Sequence, residues 1–394
     1  MSLEKQDSKK VGLCLAYKGT NYGMLLQAYA TQQVVEKFGF KTEILNVKQT
    51  PADRIPRYIG GYKVLARILW RWIKNKFSKE HNNLDEKHRT NKKMRVEAAE
   101  SFRSTKMHDF VTYNGLKALT EASKGFSSVL IGSDQLWLPD EAFSKFFSLQ
   151  FAAPGCTRIS YATSLGVSSY PNYAKRAARD FWKKINYLSV REEQGKNIIQ
   201  SIADVPAQVV VDPTYLFTKE EWLEKIPNQK ITEDGYILCY FLGESEPMKD
   251  FAVRLAKSKG LRVVSILSDE CNSDDYSVFD EVITGKRPEE FVNLVRNADF
   301  VLTDSFHGLA FSVINEKQFL IFYRNRPEVK QSRNSRVDNI LTKWGLESRL
   351  VIDPANADTS VDQIDYSIVN PKVSEQRDKS LSFLRKALNN EGLI

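Results

Sequence analysis

The sequence predicts an α/β protein of two Rossmann-like domains facing a cleft, and three observations predict it. Short β-rich runs alternate with helical patterns along most of the chain, which gives parallel sheets covered on both faces. The alternation breaks near 226–235, where Pro227, Asn228 and Gly235 interrupt a polar stretch, and then restarts. At 394 residues the chain is also longer than the roughly 100 to 200 residues of an ordinary domain, so two hydrophobic cores are expected.

The first domain opens as strand, turn, helix, strand. The apolar run at 11–16 is the strand, Gly19 and Gly23 supply the turn, and positions 25, 26, 29, 34, 35 and 38 carry helical spacing over 24–38 before Gly39 stops it. Strand 42–47 completes a βαβ unit. Strand 128–131, helix 173–185, strand 187–190, helix 192–202 and strand 207–211 follow. After the break come strand 236–242, helix 247–258, strand 262–267, helix 288–297, strand 300–303, helix 306–315 and strand 318–323. The chain so divides into an N-terminal domain over 1–228 and a C-terminal domain over 229–370. A C-terminal helix over 371–394 is expected to pack back on the N-terminal domain. Ligands of such sheets bind outside the carboxyl ends of the strands.

The formal charge is +8, but 54–106 alone holds a net +10, leaving −2 for the rest. Basicity confined to one segment, with no zinc-finger, recognition-helix or RNA-binding signature, excludes nucleic acid as an expected partner. The segment reads as a basic helical insertion. Tyr62, Leu65, Ile68, Leu69, Trp72, Ile73 and Phe77 keep the i, i+3, i+4, i+7 rule, Lys63, Arg67, Arg71, Lys74 and Lys79 fill the other side, and Trp70 breaks it. The ordinary reading packs that apolar stripe on the helix's own domain; the sharper one docks it on an anionic membrane surface. The start, MSLEKQDSKK, has no apolar h-region, and no long apolar run occurs elsewhere, so a cytoplasmic location is expected. Cys14, Cys156, Cys239 and Cys271 match no zinc or disulfide spacing and read as buried small hydrophobes. His81, His88, His108 and His307 form no HExxH, and no metal is expected.

Neither GxGxxG nor GxxxxGK[ST] occurs, which argues against dinucleotide and P-loop chemistry. Four other strings fall at the ends of predicted strands. At 17–23, Gly19 and Gly23 permit close backbone approach beside a helix start, although the same residues suit a purely structural turn. At 131–137, Asp134, Gln135 and Trp137 bring a carboxylate, an amide and an indole to the cleft, unless Asp134 merely caps a helix over a core Trp137. Arg191 lies near a helix N-terminus, where an anion would meet a guanidinium fork and backbone N–H groups, unless it pairs with Glu192 or Glu193. At 303–308, His307 sits in a first helical turn, whose positive end disfavours its protonated form; a bound phosphate dianion would reverse that bias.

In chain order, NYGxxLQAYA (21–30), VLIGSDQLW (129–137), SYATSLG (160–166), LSVREEQG (188–195), VVDPT (210–214), TDSFHG (303–308) and SRVDNIL (335–341) closely resemble the polysaccharide pyruvyl transferase family. The resemblance runs over about 11–350. It implies a GT-B-like form of the two-domain cleft. It also implies transfer of the enolpyruvyl unit of phosphoenolpyruvate to two hydroxyls of a sugar, giving a pyruvate ketal and phosphate in exopolysaccharide or capsule biosynthesis. Phosphoenolpyruvate is then the donor substrate, no cofactor is expected, and the acceptor is expected on a lipid-linked precursor at the inner membrane face. Arg191 matches the family's phosphate-contacting arginine, and His307 its histidine, for phosphate contact or general-acid work. Such a reaction needs an acid, a base and fixed positive charge. Asp134 is the candidate base, and Asn21, Tyr22 and Gly23 are the candidate acceptor contacts.

Relatives carry Ser-Arg-Leu-His-Gly where this chain has Asp304-Ser305-Phe306-His307-Gly308, so Ser305 stands in place of an arginine. Arg336 or Arg324 is expected to supply the second cation. Two other classes fit the same architecture. One is a GT-B glycosyltransferase using a nucleotide sugar, with Asp304 as a ribose-binding carboxylate. The other is a non-catalytic scaffold for a sugar or membrane partner, against which Arg191 and His307 stand at two separate strand-to-helix junctions.

Overall fold

The computed structural model describes residues 9–55, 57–77, 86–243, 245–267, 277–324 and 335–392, without the side chains of 71–77, 86–88 and 335. His81 and Cys271 lie outside these residues, as do the side chains of Trp72, Ile73, Phe77 and His88.

Its first sheet has seven parallel strands in the order β3-β2-β1-β4-β5-β6-β7. They are β1 (Lys10–Cys14), β2 (Lys41–Lys48), β3 (Phe110–Asn114), β4 (Ser128–Ile131), β5 (Thr157–Thr163), β6 (Tyr187–Val190) and β7 (Gln208–Val209). The accompanying helices are α1 (Tyr22–Lys37), α2 (Ile59–Phe77), α3 (Glu86–Lys106), α4 (Gly115–Ala122), α5 (Asn172–Trp182), α6 (Glu193–Ala203) and α7 (Lys219–Lys225). The second sheet has six parallel strands in the order β10-β9-β8-β11-β12-β13. These are β8 (Tyr236–Tyr240), β9 (Arg262–Ile266), β10 (Glu281–Ile283), β11 (Phe300–Thr303), β12 (Gln318–Phe322) and β13 (Leu350–Val351). Its helices are α8 (Glu246–Lys259), α9 (Pro288–Asn297), α10 (Phe306–Ile314) and α11 (Ser335–Trp344), and α12 (Tyr366–Asn389) closes the chain.

This is the two-sheet α/β architecture the alternation predicts. The runs SVLI of β4 and YILCY of β8 are buried along their whole length, as strands covered on both faces must be. α1 ends where predicted because Gly39 takes φ +89° and its N–H bonds the Glu36 carbonyl at 2.8 Å. Cys14, Cys156 and Cys239 are buried thiols.

Several elements differ from the sequence reading. The strand expected over 207–211 stops after Val209, because the Val211 N–H turns out of the sheet to the Ser380 hydroxyl at 3.0 Å. β5 carries a register shift between Ser160 and Thr163, with Ala162 at φ +53°, and its polar residues hid it from an apolar-run search. The basic segment is the crossover that joins β2 to β3. Its second helix, α3, reaches the other domain, where Arg95 Nη1 donates to the Leu267 carbonyl at 2.8 Å. In α2 the expected packing of the apolar stripe is overturned: Tyr62, Leu65, Ile68 and Leu69 are exposed, and only Gly60, Gly61 and Val64 are buried among residues 59–70. No helix of the described residues is long and apolar enough to cross a membrane.

α12 lies against the first sheet. Besides the Ser380–Val211 bond, Arg377 Nε donates to the Tyr215 carbonyl at 2.8 Å and Phe383 meets Tyr161 at 6.4 Å between ring centroids. Ser380→Ala should leave the buried Val211 N–H unpaired and lower the unfolding free energy by about 1–3 kcal/mol, measured by urea denaturation at unchanged m-value.

Candidate active site

Each sheet reverses its strand order once, between β1 and β4 in the first and between β8 and β11 in the second. Such switch points leave a crevice at the strand carboxyl ends. The loops after all four strands converge there on one cavity of about 190 Å³. Asn21 and Met24 reach it from the β1–α1 turn, Asp134 and Gln135 from the loop after β4, and Leu242 from the end of β8. Asp304, Ser305, Phe306 and His307 follow β11, Arg324 follows β12, and Arg336 comes from α11.

Below this cavity lies a carboxylate that the sequence reading did not single out. Asp212 is fully buried, and its Oδ1 accepts from the Thr214 amide at 3.0 Å and hydroxyl at 2.8 Å. Its Oδ2 accepts from the Ser133 hydroxyl and from Arg191 Nη1, each at 2.7 Å, and lies 3.7 Å from His307 Nε2. Burial alone would raise this carboxyl, but His307, Arg191 and the Thr214 amide outweigh it and hold Asp212 well below the usual carboxylate range. The signal available was the Asp-Pro pair inside VVDPT, where Asp212 caps a short helical turn begun by Pro213.

Arg191 therefore pairs with Asp212 rather than with its neighbours. Glu192 is occupied elsewhere, its Oε1 accepting from the Ser164 hydroxyl at 2.8 Å and the Leu165 amide at 3.0 Å. The N-terminus of α6, the expected anion seat, is instead met by Asn339, whose Oδ1 accepts from the Glu193 amide at 3.4 Å. The Arg191 side chain is 2 % exposed and stacks on the Phe306 ring at 4.1 Å, so it underlies the cavity without lining it.

His307 is held on three sides. Asp212 lies on one, the Phe306 ring meets it edge-on at 5.1 Å, and Gly23 of α1 presses on the imidazole. A Cβ at Gly23 would fall 2.0 Å from His307 Cγ and Nδ1, so only glycine fits. The three residues read together from the first turn thus separate. Asn21 caps α1, its Oδ1 accepting from the Met24 amide at 3.1 Å, and touches the cavity. Gly23 seats the histidine. Tyr22 lies away from the cavity, stacked on Phe291 of α9 at 5.1 Å and under Arg95.

Asp134 sits on the cavity wall at φ +80°, a left-handed conformation that Asp tolerates better than most residues. A bridge to Thr163 and the Ser164 N–H to its carbonyl at 2.9 Å hold it there, 4.0 Å from Arg191 Nη2. Ser305 caps α10, accepting from the Gly308 amide at 3.3 Å. Asp304 accepts from the Leu242 and Gly243 amides at 2.7 and 2.8 Å, and Arg324 Nε lies 3.6 Å away. Burial still pushes its carboxyl up.

Arg336 is incompletely compensated. Its Nε, like Arg191 Nε and Nη2, is buried without a hydrogen-bond partner. Burial, with Arg191 and Arg324 repelling and Asp134 and Glu192 only partly offsetting them, pulls its guanidinium down to about 9. Beside the cavity, a second and more apolar one of about 390 Å³ shares Met24 as a wall and is lined by Leu15, Tyr17, Val47, Phe146 and Phe147. Among the described residues no group of His, Cys, Asp and Glu could hold a metal ion.

Among solved structures, the chain is similar in fold to UDP-GlcNAc 2-epimerase from Neisseria meningitidis bound to UDP-GlcNAc, at 14 % identity and a TM-score of 0.46, covering 96 % of this chain and 100 % of that one. It is likewise similar to the Methanocaldococcus jannaschii UDP-GlcNAc 2-epimerase in complex with UDP-GlcNAc and UDP, at 12 % identity and a TM-score of 0.46, covering 95 % of this chain and 99 % of that one. No curated protein matches the sequence. The sequence model of one family, described as polysaccharide pyruvyl transferase, matches residues 21–326, a span that takes in α1, Asp134, Arg191, Asp212, His307 and Arg324. That match covers most of the chain, which therefore belongs to the polysaccharide pyruvyl transferase family.

Proposed function

We propose that the protein transfers the enolpyruvyl group of phosphoenolpyruvate to two hydroxyls of a sugar, forming a pyruvate ketal for a cell-surface polysaccharide. One observation carries the reading: Arg324 and Arg336 line the same cavity as His307, and His307 rests on a buried carboxylate. Two guanidinium groups at one wall suit a phosphate dianion, which would supply the counter-charge that Arg336 lacks.

In this reading His307 delivers a proton to the methylene carbon of the donor. The neighbouring carbon then carries positive charge and is attacked by the first sugar hydroxyl, whose proton passes to Asp134. Departure of phosphate, carrying away the proton that Asp134 took up, leaves a second cationic centre that the other hydroxyl captures to close the ketal, its own proton returning to His307. Arg324 and Arg336 hold the phosphate before and after it leaves. Arg191 is a positioning residue, acting through Asp212 and Phe306. The apolar cavity beyond Met24 offers the sugar or its carrier a place beside the donor. The acceptor is read as a lipid-linked precursor. The nucleotide-sugar alternative loses support because both oxygens of Asp304 are taken by backbone amides.

The test is phosphate release from phosphoenolpyruvate across a panel of lipid-linked and nucleotide-linked sugars. Release that depends on one acceptor is expected; thermal protection by a nucleotide but not by phosphoenolpyruvate would overturn the reading. His307→Ala should lower kcat by about a hundredfold or more. Arg336→Ala should weaken phosphoenolpyruvate binding by about ten- to a hundredfold, read by calorimetry. Gly23→Ala should reduce kcat at least about tenfold by displacing the imidazole while leaving donor affinity nearly unchanged. Asp212→Asn should cost about 3–5 kcal/mol of stability, because it strands the buried Arg191.

A further inference from the structure

The oddest surface on the molecule is helix α2. Its foot is fixed, and residues 65–70 beyond it are exposed. Gly60 packs so closely on the body that a Cβ there would fall 2.3 Å from the Tyr173 carbonyl and 2.7 Å from the Phe143 ring. Val64 is buried one turn on, and Arg67 bonds Asp140 at 2.9 Å and covers the Tyr173 ring at 5.0 Å. Positions 60, 64 and 67 follow i, i+4, i+7, so they mark the side that faces the protein. Tyr62, Leu65 and Leu69 follow i, i+3, i+7 on the opposite side, and with Ile59 and Ile68 they are between 42 % and 81 % exposed. The amphipathic helix is thus mounted with its apolar face outward.

We infer that α2 docks this protein on an anionic lipid bilayer, lying in the interface with Tyr62, Leu65, Ile68 and Leu69 toward the acyl chains. Charge selects the occupant. The helix sequence carries Lys63, Arg67, Arg71, Lys74 and Lys76 and no acidic residue. A second copy of the helix would meet this one with like charge, whereas anionic headgroups would complement it. Apolar surface of this extent on one helix is what an interfacial helix needs and what a solvated one avoids. The mounting also relates the surface to the site. Phe143 carries the foot of α2, and Phe146 and Phe147 of the same segment wall the apolar cavity that shares Met24 with the anion cavity. The inference stands apart from the reaction proposed above, since it is read without turnover.

The test is co-sedimentation of the full chain with vesicles of phosphatidylcholine mixed with phosphatidylglycerol, against phosphatidylcholine alone. Binding to the anionic vesicles, weakened by salt, is expected. Trp137, Trp182, Trp222 and Trp344 are already fully buried, so a blue shift of tryptophan fluorescence on binding would come from α2, where Trp70 is 66 % exposed. Leu65→Ser with Leu69→Ser should lower vesicle affinity at least about tenfold while the unfolding midpoint stays at the wild-type value, since both side chains lie outside the core. Lys63→Glu, which leaves the apolar stripe intact, should reduce binding to anionic vesicles by about tenfold. Absence of binding to anionic vesicles, or binding indifferent to the paired leucine substitutions, would overturn the inference. So would self-association without lipid that those substitutions abolish, which would give the face to a second copy.

Discussion

A carboxylate sealed from water is tolerated only when hydrogen bonds and opposite charge surround it, and Asp212 imposes that condition on this molecule. Its partners come from the loop after β4, the end of β6, its own turn, and α10 of the other domain. β7 is cut to two residues so that the chain can leave the sheet and deliver Asp212, and α12 returns Ser380 to satisfy the amide exposed by that exit. Arg191 then stacks on Phe306, with Arg336 at 6.0 Å from the same ring, so one aromatic side chain offers its electron-rich face to two neighbouring cations. The cavity lined by Arg324 and Arg336 is the upper side of this arrangement.

The cations that line the cavity are Arg324 and Arg336. Ser305 caps α10, and the positive charge enters the cavity from the end of β12 and from α11. Asp304 is held by the Leu242 and Gly243 amides, which ties the loop after β8 to the loop after β11 across the switch point. Carboxylates on this side thus serve the backbone, and guanidinium groups face the space between the sheets.

Much of the fold was legible because the signals are local. Apolar runs, Gly39 and the break near 226–235 each act within a few residues, and they marked the alternation and the two sheets. β5 escaped because its stabilising contacts are polar and distant, such as Thr163 Oγ1 donating to the Gly132 carbonyl at 3.0 Å. Of the candidate residues, Asn21, Asp134, Ser305, His307, Arg324 and Arg336 share one cavity, since all stand just beyond strand ends or on the helix facing them. Asp212 was hidden by its ordinary appearance in a loop; only its burial beneath two domains gives it meaning. The outward face of α2 was equally illegible, because periodicity tells which residues share a side and not what that side meets.

The contact between Gly23 and His307 joins a helix of the first sheet to a helix of the second. Asp212 and Arg191 belong to the first body, whereas His307, Arg324 and Arg336 belong to the second. A hinge that opened the cleft would therefore part the imidazole from its carboxylate and leave both guanidinium groups together. The angle between the sheets therefore decides whether His307 meets Asp212, whereas the approach of Arg324 to Arg336 is set within the second body alone.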